Sequence, residues 1–549
     1  MTPHTRRTAR HLRTWTSLLL LVPTLALAKG PTPAARRWWS HVEVLGADDM
    51  EGRETGSAGH HRAAEYVAAK LAEFGVQPGA GQSYFQEVSL VSRQVAKARS
   101  RMALVREGQE QPLTLDQELI LSPLTGRSGH LDAGLVFVGY GLTIPETGHD
   151  DLAGLDVKGK VVVVLFGGAP PGVPENLAAH YSSMAELSKA YTRAGAVGVL
   201  ALLNPRTAEV PWERIIESQQ RPAMMLAEPS LQDISDTLMF AIINPTFMNP
   251  LLAGSSHTYE EILELDGKRK PLPHFALPVS LRGDVSLEQS RLTSENVVGR
   301  LPGSDAALAG ESVVLSAHLD HIGMTEATEG DRICNGVMDN AAGVAALLEV
   351  ARSFQEQKVK PRRGVLFVAT TAEEKGLLGS RWFAARPPEG AGRMVANLNM
   401  DMFLPLMPLK GLVAYGAGES TLGTPLKASA AHLGIELMRD PQPEANSFIR
   451  SDQYSFILEG VPALSFAAGY RKGSKEERLE KDWLLERYHG PADDLSQPVD
   501  REAAVRFVNL LADLTQRVAD APQRPSWNAD SFFRRYARTE GPVASPATP

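Results

Sequence analysis

The chain has 549 residues, which at about 100–200 residues per domain allows two to four domains. Hydrophobic residues make up 43% and charged residues 22%, the balance of a globular protein rather than a disordered chain or a coiled coil. The 56 basic and 64 acidic residues leave a net charge of −8 without long runs, which argues against a nucleic-acid binder, and the single cysteine, Cys334, excludes an internal disulfide and a thiolate metal cluster. Any tightly bound metal must therefore be held by His, Asp and Glu.

Residues 1–13 carry Arg6, Arg7, Arg10 and Arg13 and no acid; an apolar run follows, then Ala26-Leu27-Ala28. This is the three-part layout of a secretory signal peptide spanning residues 1–28. Its apolar run of about a dozen residues is short of the roughly 20 that span a bilayer. The expectation is an exported protein, periplasmic or secreted, with no membrane anchor after cleavage. Residues 29–119 then open the main domain, with Ala64, Val67, Leu71 and Phe74 at helical spacing and Gly75 as a stop. Residues 120–290 read as a small β-rich insert, with β-branched runs at 135–138 and 161–165 and a helix turning into a strand over 192–200. From 291 to 521 strands alternate with helices: strands at 313–315, 365–368, 397–402 and 463–466, helices at 341–354, 375–383 and 501–518. That alternation predicts an α/β fold with a mixed, mostly parallel sheet covered by helices on both faces. The five prolines of residues 522–549 predict a loose tail.

The chemistry-bearing residues fall at the predicted strand ends, where α/β sheets gather ligands. The first strand ends in Ser316-Ala317-His318-Leu319-Asp320. Residues two apart in an extended segment point the same way, so Asp320 is placed to orient His318, a common arrangement behind a metal-bound imidazole. A polar turn, Asp339-Asn340, opens the next helix; the second strand ends in Glu373-Glu374, the third in Asn399-Met400-Asp401; and His489 lies in a loop before the last helix. His318, Asp339, Glu374, Asp401 and His489 have the stoichiometry of a two-metal site, with nitrogen and oxygen donors suited to zinc. The spare Glu373 can serve as general base. Singly, each piece has a plain structural reading: Asp-Asn as a helix cap, Glu-Glu as a solvated face, His489 as a surface residue.

In this order the residues resemble the zinc aminopeptidase family typified by bacterial leucyl aminopeptidases, which also contains glutamate carboxypeptidase. The match runs through residues 316–323, 336–343, 369–380, 399–402, 450–464 and 487–495, and the segment Glu51-Gly52-Arg53-Glu54-Thr55-Gly56-Ser57 is similar to that family's N-terminal segment. Residues 134–205 resemble the protease-associated domain that some members carry as an insert. The resemblance implies two Zn2+ ions, one held by His318 and Asp401, the other by Glu374 and His489, with Asp339 bridging. It further implies Glu373 as general base, Asp320 behind His318, and a cis Asp339–Asn340 peptide. The sequence departs from the family's pattern after Ser451-Asp452, where Gln453 replaces a frequent His; upstream, Phe448 and Ile449 stand where some members have a Tyr, and Tyr454 lies beyond. The implied function is an exported di-zinc exopeptidase acting on peptides, first of all an aminopeptidase. A dipeptidase or carboxypeptidase of the same fold, a glutaminyl cyclase and a non-catalytic receptor-like module are the alternatives.

Overall fold

The computed structural model describes residues 30–538, apart from 127, 207–211, 213–214, 217–220, 235–236 and 326–329. The expected signal peptide, residues 1–28, lies outside the described residues. No helix among those described is long and apolar enough to cross a membrane.

The centre of the molecule is a ten-stranded mixed sheet. Four neighbouring parallel strands form its middle, in the order Gly364–Thr370, Glu311–His318, Arg393–Asn399, Ala463–Ala468. Their sequences (Val-Leu-Phe-Val in one, Val-Val-Leu in its neighbour) are apolar without alternation because both faces are covered, so side chains on either side of the pleat must be buried. One face packs against the helices Ala342–Glu356, Arg501–Asp520 and Pro33–Leu45, whose Leu347, Phe507, Leu511 and Trp38 join Val313, Leu315 and Phe367 in one core. Phe403 stacks on Phe507 at 3.9 Å between ring centres. The other face is covered by a smaller group, including Val314, Leu366, Val368, Phe383 and Phe456. Mixed α/β architecture is thus as expected, and the sheet's first strand from the sequence, 313–315, extends to Glu311–His318.

A second sheet of eight strands has its own apolar core. Here the structure corrects the expected boundary of 120. The chain leaves the large sheet at Val95 and returns at Leu287, and these two residues are paired across antiparallel strands Phe85–Val95 and Leu287–Leu301. Strands Arg101–Arg106 and Gln109–Leu113 already belong to the second sheet. Their charged, half-exposed sequences lack the β-branched runs that mark the inner strands, so they carried no sequence signal. One strand from this excursion, Ala223–Leu226, pairs instead with the edge of the large sheet.

The expectation of a loose tail is also corrected for residues 522–538. Trp527 and Phe533 are buried in a cluster with Tyr454, Ile457 and Ala463. Arg535 bonds Glu146 of the insert, and the Tyr536 hydroxyl lies 3.2 Å from His180 Nε2. His180 Nδ1 in turn meets the Tyr454 hydroxyl at 2.7 Å, so the tail, the insert and the main domain share one seam.

Candidate metal centre

All the residues singled out from the sequence converge at the carboxyl ends of the central parallel strands. His318 is the last residue of its strand; Glu373 and Glu374 follow the neighbouring strand by a turn, and Asp401 follows the third. Asp339 lies in the tight turn before helix Ala342–Glu356, and its peptide bond to Asn340 is cis. That helix starts against the sheet because residue 343 is glycine: a Cβ there would sit 2.2 Å from Asn340 Oδ1 and 2.5 Å from the Met400 carbonyl. His489 reaches in from the loop between helices Lys475–Glu486 and Arg501–Asp520. Ala372, Met402 and His489 all hold left-handed backbone conformations, with φ of 55°, 54° and 55°. Such conformations cost non-glycine residues about 1–3 kcal/mol each and cluster where a site must be held to shape.

The donor atoms fall into two sets. His318 Nε2 lies 3.1 Å from Asp339 Oδ1 and 3.1 Å from Asp401 Oδ1. His489 Nε2 lies 3.3 Å from Asp339 Oδ2 and 3.1 Å from Glu374 Oε2. Asp339 therefore turns one oxygen to each set. Ligands on a tetrahedral zinc, at bond lengths of about 2.0–2.1 Å, stand about 3.3 Å apart, and both sets fit that spacing with the nitrogen and oxygen donors zinc accepts. The carboxylate of Glu373 is within 4.8 Å of the His318 and Glu374 donor atoms, close enough to serve the same centre. Buried Cys334 is in none of the groups that could hold a metal among the described residues.

Residues 296–515 match the model of peptidase family M28. This part of the chain is similar to that family. The chain is 26% identical over 279 residues to the "probable leucine aminopeptidase 2" of Aspergillus oryzae, covering 48% of this chain and 52% of that protein. It is 39% identical over 200 residues to a "probable zinc metalloprotease" of Pyrenophora teres f. teres, covering 35% and 42%. The chain thus spans about half the length, or less, of these curated relatives. Among solved structures, an aminopeptidase from Aneurinibacillus sp. strain AM-1 shares the fold, with a TM-score of 0.52 at 20% identity over 89% of this chain and 95% of that one.

Within this centre, one expected role is corrected. The Asp320 carboxylate does not bond His318. The imidazole Nδ1–H donates instead to the Asp320 main-chain carbonyl at 3.0 Å, which fixes the tautomer and leaves Nε2 as the donor atom. The strand ends at His318, so the two-residue alternation that placed Asp320 beside it no longer applies. The buried Asp320 carboxylate accepts from the Thr55 hydroxyl (3.0 Å) and from the main-chain N–H groups of Glu373 (3.0 Å) and Glu374 (3.4 Å). It orients the glutamate pair rather than the histidine. Burial pushes its carboxyl up to about 6, against the pull of His318.

Three further residues, inside the matched stretches but given no role from the sequence, hold the centre. Asp493, fully buried, accepts from the main-chain N–H groups of Met338 (2.9 Å) and Asp339 (3.0 Å), which ties the His489 loop to the bridging aspartate. Arg53, 1% exposed, donates to the carbonyls of Leu319, Leu45, Asn335 and Gly336 at 2.6–2.8 Å, joining the His318 loop to the Asp339 turn. Burial lowers its guanidinium to about 10, although Asp493 and Asp339 oppose that shift. Gln453, where the family pattern often has histidine, accepts from Asn399 Nδ2 at 2.8 Å and so braces the strand that ends at Asp401. Tyr454 points away from the centre, to His180 at the seam with the insert; the aromatic that does reach the centre is Tyr488, stacked on His489 at 3.8 Å.

The charges show what the site is built to receive. Burial works against charge on both histidines, yet Asp401 and Glu373 hold His318 well above its ordinary range, and Glu374 and Asp339 raise His489 to about 10. Glu374 is held well below its usual value: burial opposes this, and His489 and His321 outweigh it. Burial holds Glu373 well above its usual value, with His318 pulling down and Asp401, Glu374 and Asp452 pushing up. Protons on the histidines occupy the place of cations among crowded carboxylates, and a metal ion would displace them.

Proposed function

We propose that the chain is an exported di-zinc exopeptidase, and specifically an aminopeptidase that removes N-terminal residues from peptides. The observation that carries this reading is Asp339, whose two oxygens face two separate histidine-headed donor sets. His318 and Asp401 would hold one ion with Asp339 Oδ1, and Glu374 and His489 the other with Asp339 Oδ2. Zinc so placed would supply Lewis-acid polarisation of the scissile carbonyl and a water acidic enough to ionise near neutral pH. The protein's own groups do the rest. Glu373 takes the proton of the attacking water at its carboxylate and delivers it to the leaving amine. Asp320 keeps the Glu373 and Glu374 main chain in place, and the Asp320 carbonyl keeps His318 in the tautomer that presents Nε2.

Export is supported by the arginine-rich start, the short apolar run and Ala26-Leu27-Ala28. The β-rich excursion between Val95 and Leu287 is read as a protease-associated module. Aminopeptidase names among the relatives support the choice of exopeptidase. The test is a metal count on the purified protein, followed by assays on aminoacyl substrates and on the same peptides with blocked amino termini. Two zinc ions per chain, activity on the free amine alone, and loss of activity on chelation with recovery on zinc addition are expected. Cleavage of blocked peptides would redirect the reading to a carboxypeptidase.

A further inference from the structure

His321 has no part in the donor sets above, yet it is completely buried among them. Its Nδ1 lies 2.7 Å from Glu374 Oε1 and 3.9 Å from Asp339 Oδ2. Its Nε2 is buried with no hydrogen-bond partner. Burying a polar ring with one nitrogen unsatisfied costs free energy, so the Nδ1 contact must compensate. The fold makes room for the ring in a specific way. Gly336 lies against it with φ +59°, and a Cβ there would stand 2.6 Å from both His321 Cγ and Cδ2. The His489 ring sits 5.8 Å away, edge-on.

Two roles are chemically open to such a histidine beside a metal position: ligand, or partner of a ligand. The spacing separates them. Two ligands on one tetrahedral zinc stand about 3.3 Å apart, as the His318 and His489 sets do, whereas 2.7 Å is the length of a charge-assisted N–H···O bond. The two oxygens of Glu374 are also divided: Oε1 faces His321, and Oε2 faces His489 at 3.1 Å. A carboxylate free to rotate could offer either oxygen, or both, to an ion. One that accepts a hydrogen bond on Oε1 offers Oε2.

Resting on the two-metal reading, we propose that His321 is a positioning residue: it donates Nδ1–H to Glu374 Oε1 and thereby fixes Glu374 Oε2 as the donor beside His489. It acts on the ion held by Glu374 and His489 and leaves the ion held by His318 and Asp401 alone. Outer partners of metal ligands set both orientation and basicity of the ligand, and losing one weakens binding by about 10–100-fold.

The test is stepwise zinc titration of the metal-free protein against a chromophoric chelator, with circular dichroism to compare folds. His321→Ala is expected to weaken one of the two ions by about 10–100-fold and to leave the other within about twofold of wild type. The discriminating pair is His321→Asn, whose amide nitrogen falls near the place of Nδ1, and His321→Gln, whose amide nitrogen extends towards the place of Nε2. Asn restores most of the lost affinity and Gln does not. Wild-type affinity in the alanine variant overturns the proposal, as does equal behaviour of Asn and Gln. Loss of one ion in the Asn variant, as in Ala, would make His321 a ligand and also overturns it. Fewer than two ions on the wild-type protein would overturn the two-metal reading itself, before any variant is considered.

Discussion

The two sheets of this protein are built alike and differ in what stands at their strand ends. Each has four neighbouring parallel strands; in the insert these are Gly129–Val138, Val161–Phe166, Gly198–Leu203 and Met239–Ile243. At the carboxyl ends of the insert strands there is also a buried carboxylate, Asp266. It accepts from Tyr140 (2.8 Å), Asn204 (2.9 Å) and Arg206 (2.8 Å), so its charge is met by the protein itself. At the ends of the large sheet, Asp339, Asp401, Glu373 and Glu374 crowd together around histidines. One cluster is complete as folded; the other is short of positive charge. Strand-end geometry offers a place for a ligand in both, and only the unbalanced charge says which is used.

The sharpest way to break this comparison is to treat the two clusters alike. Glu373→Ala should retain both metal ions and lose about 10²–10⁴-fold in kcat, measured on an aminoacyl substrate beside a metal count. Asp266→Asn should leave kcat unchanged. Full activity in the first variant would remove Glu373 from the chemistry. The next largest effect concerns the seam that joins the regions. Phe533→Ala empties a fully buried site against Trp527 and Phe448 and should cost about 3–5 kcal/mol in denaturant unfolding. A cost near zero would mean that the 522–538 segment is not anchored.

The smallest effect is a pH dependence at the same seam. Burial lowers His180 from its ordinary 6.5 to about 4; Arg535 and Lys189 add to this, and Glu186 and Glu146 oppose it. A histidine with a depressed folded pKa binds fewer protons folded than unfolded between those values, so stability rises with pH there. Its contribution is complete above about pH 6.5 and lost as pH falls towards about 4. In thermal unfolding, the gap between wild type and His180→Phe should narrow across that window; a constant gap would remove His180 as its source.

The candidate ligands His318 and Asp401 stand out in the sequence because each closes or closely follows a buried strand, where a polar side chain has no business in a core. Glu374 follows its strand by a turn, Asp339 and His489 lie in a turn and a loop, and the order of all five carries the resemblance. The residues that hold the centre together carried no such mark. Arg53 acts on carbonyls 282 and 283 positions away, and Asp493 on a turn 154 positions away, so only the folded chain shows what they touch. Asp320 was misread for a different reason: alternation is a property of strands, and this strand stops two residues earlier. The tail was misread because prolines report local stiffness and say nothing of whether Trp527 and Phe533 find a partner.

The pairing of Val95 with Leu287 has a last consequence. A segment that departs and comes back at facing positions of one antiparallel ladder is, covalently, an overgrown hairpin loop. Removing residues 96–286 and closing the gap with a tight turn would preserve the ladder's register, and the large sheet would forfeit one strand at its rim, Ala223–Leu226. The excursion is therefore a cassette in the connectivity of the chain, tied to the rest by Ala223–Leu226 and by the His180 and Glu146 contacts of the seam, while the strands that carry the candidate site lie outside it.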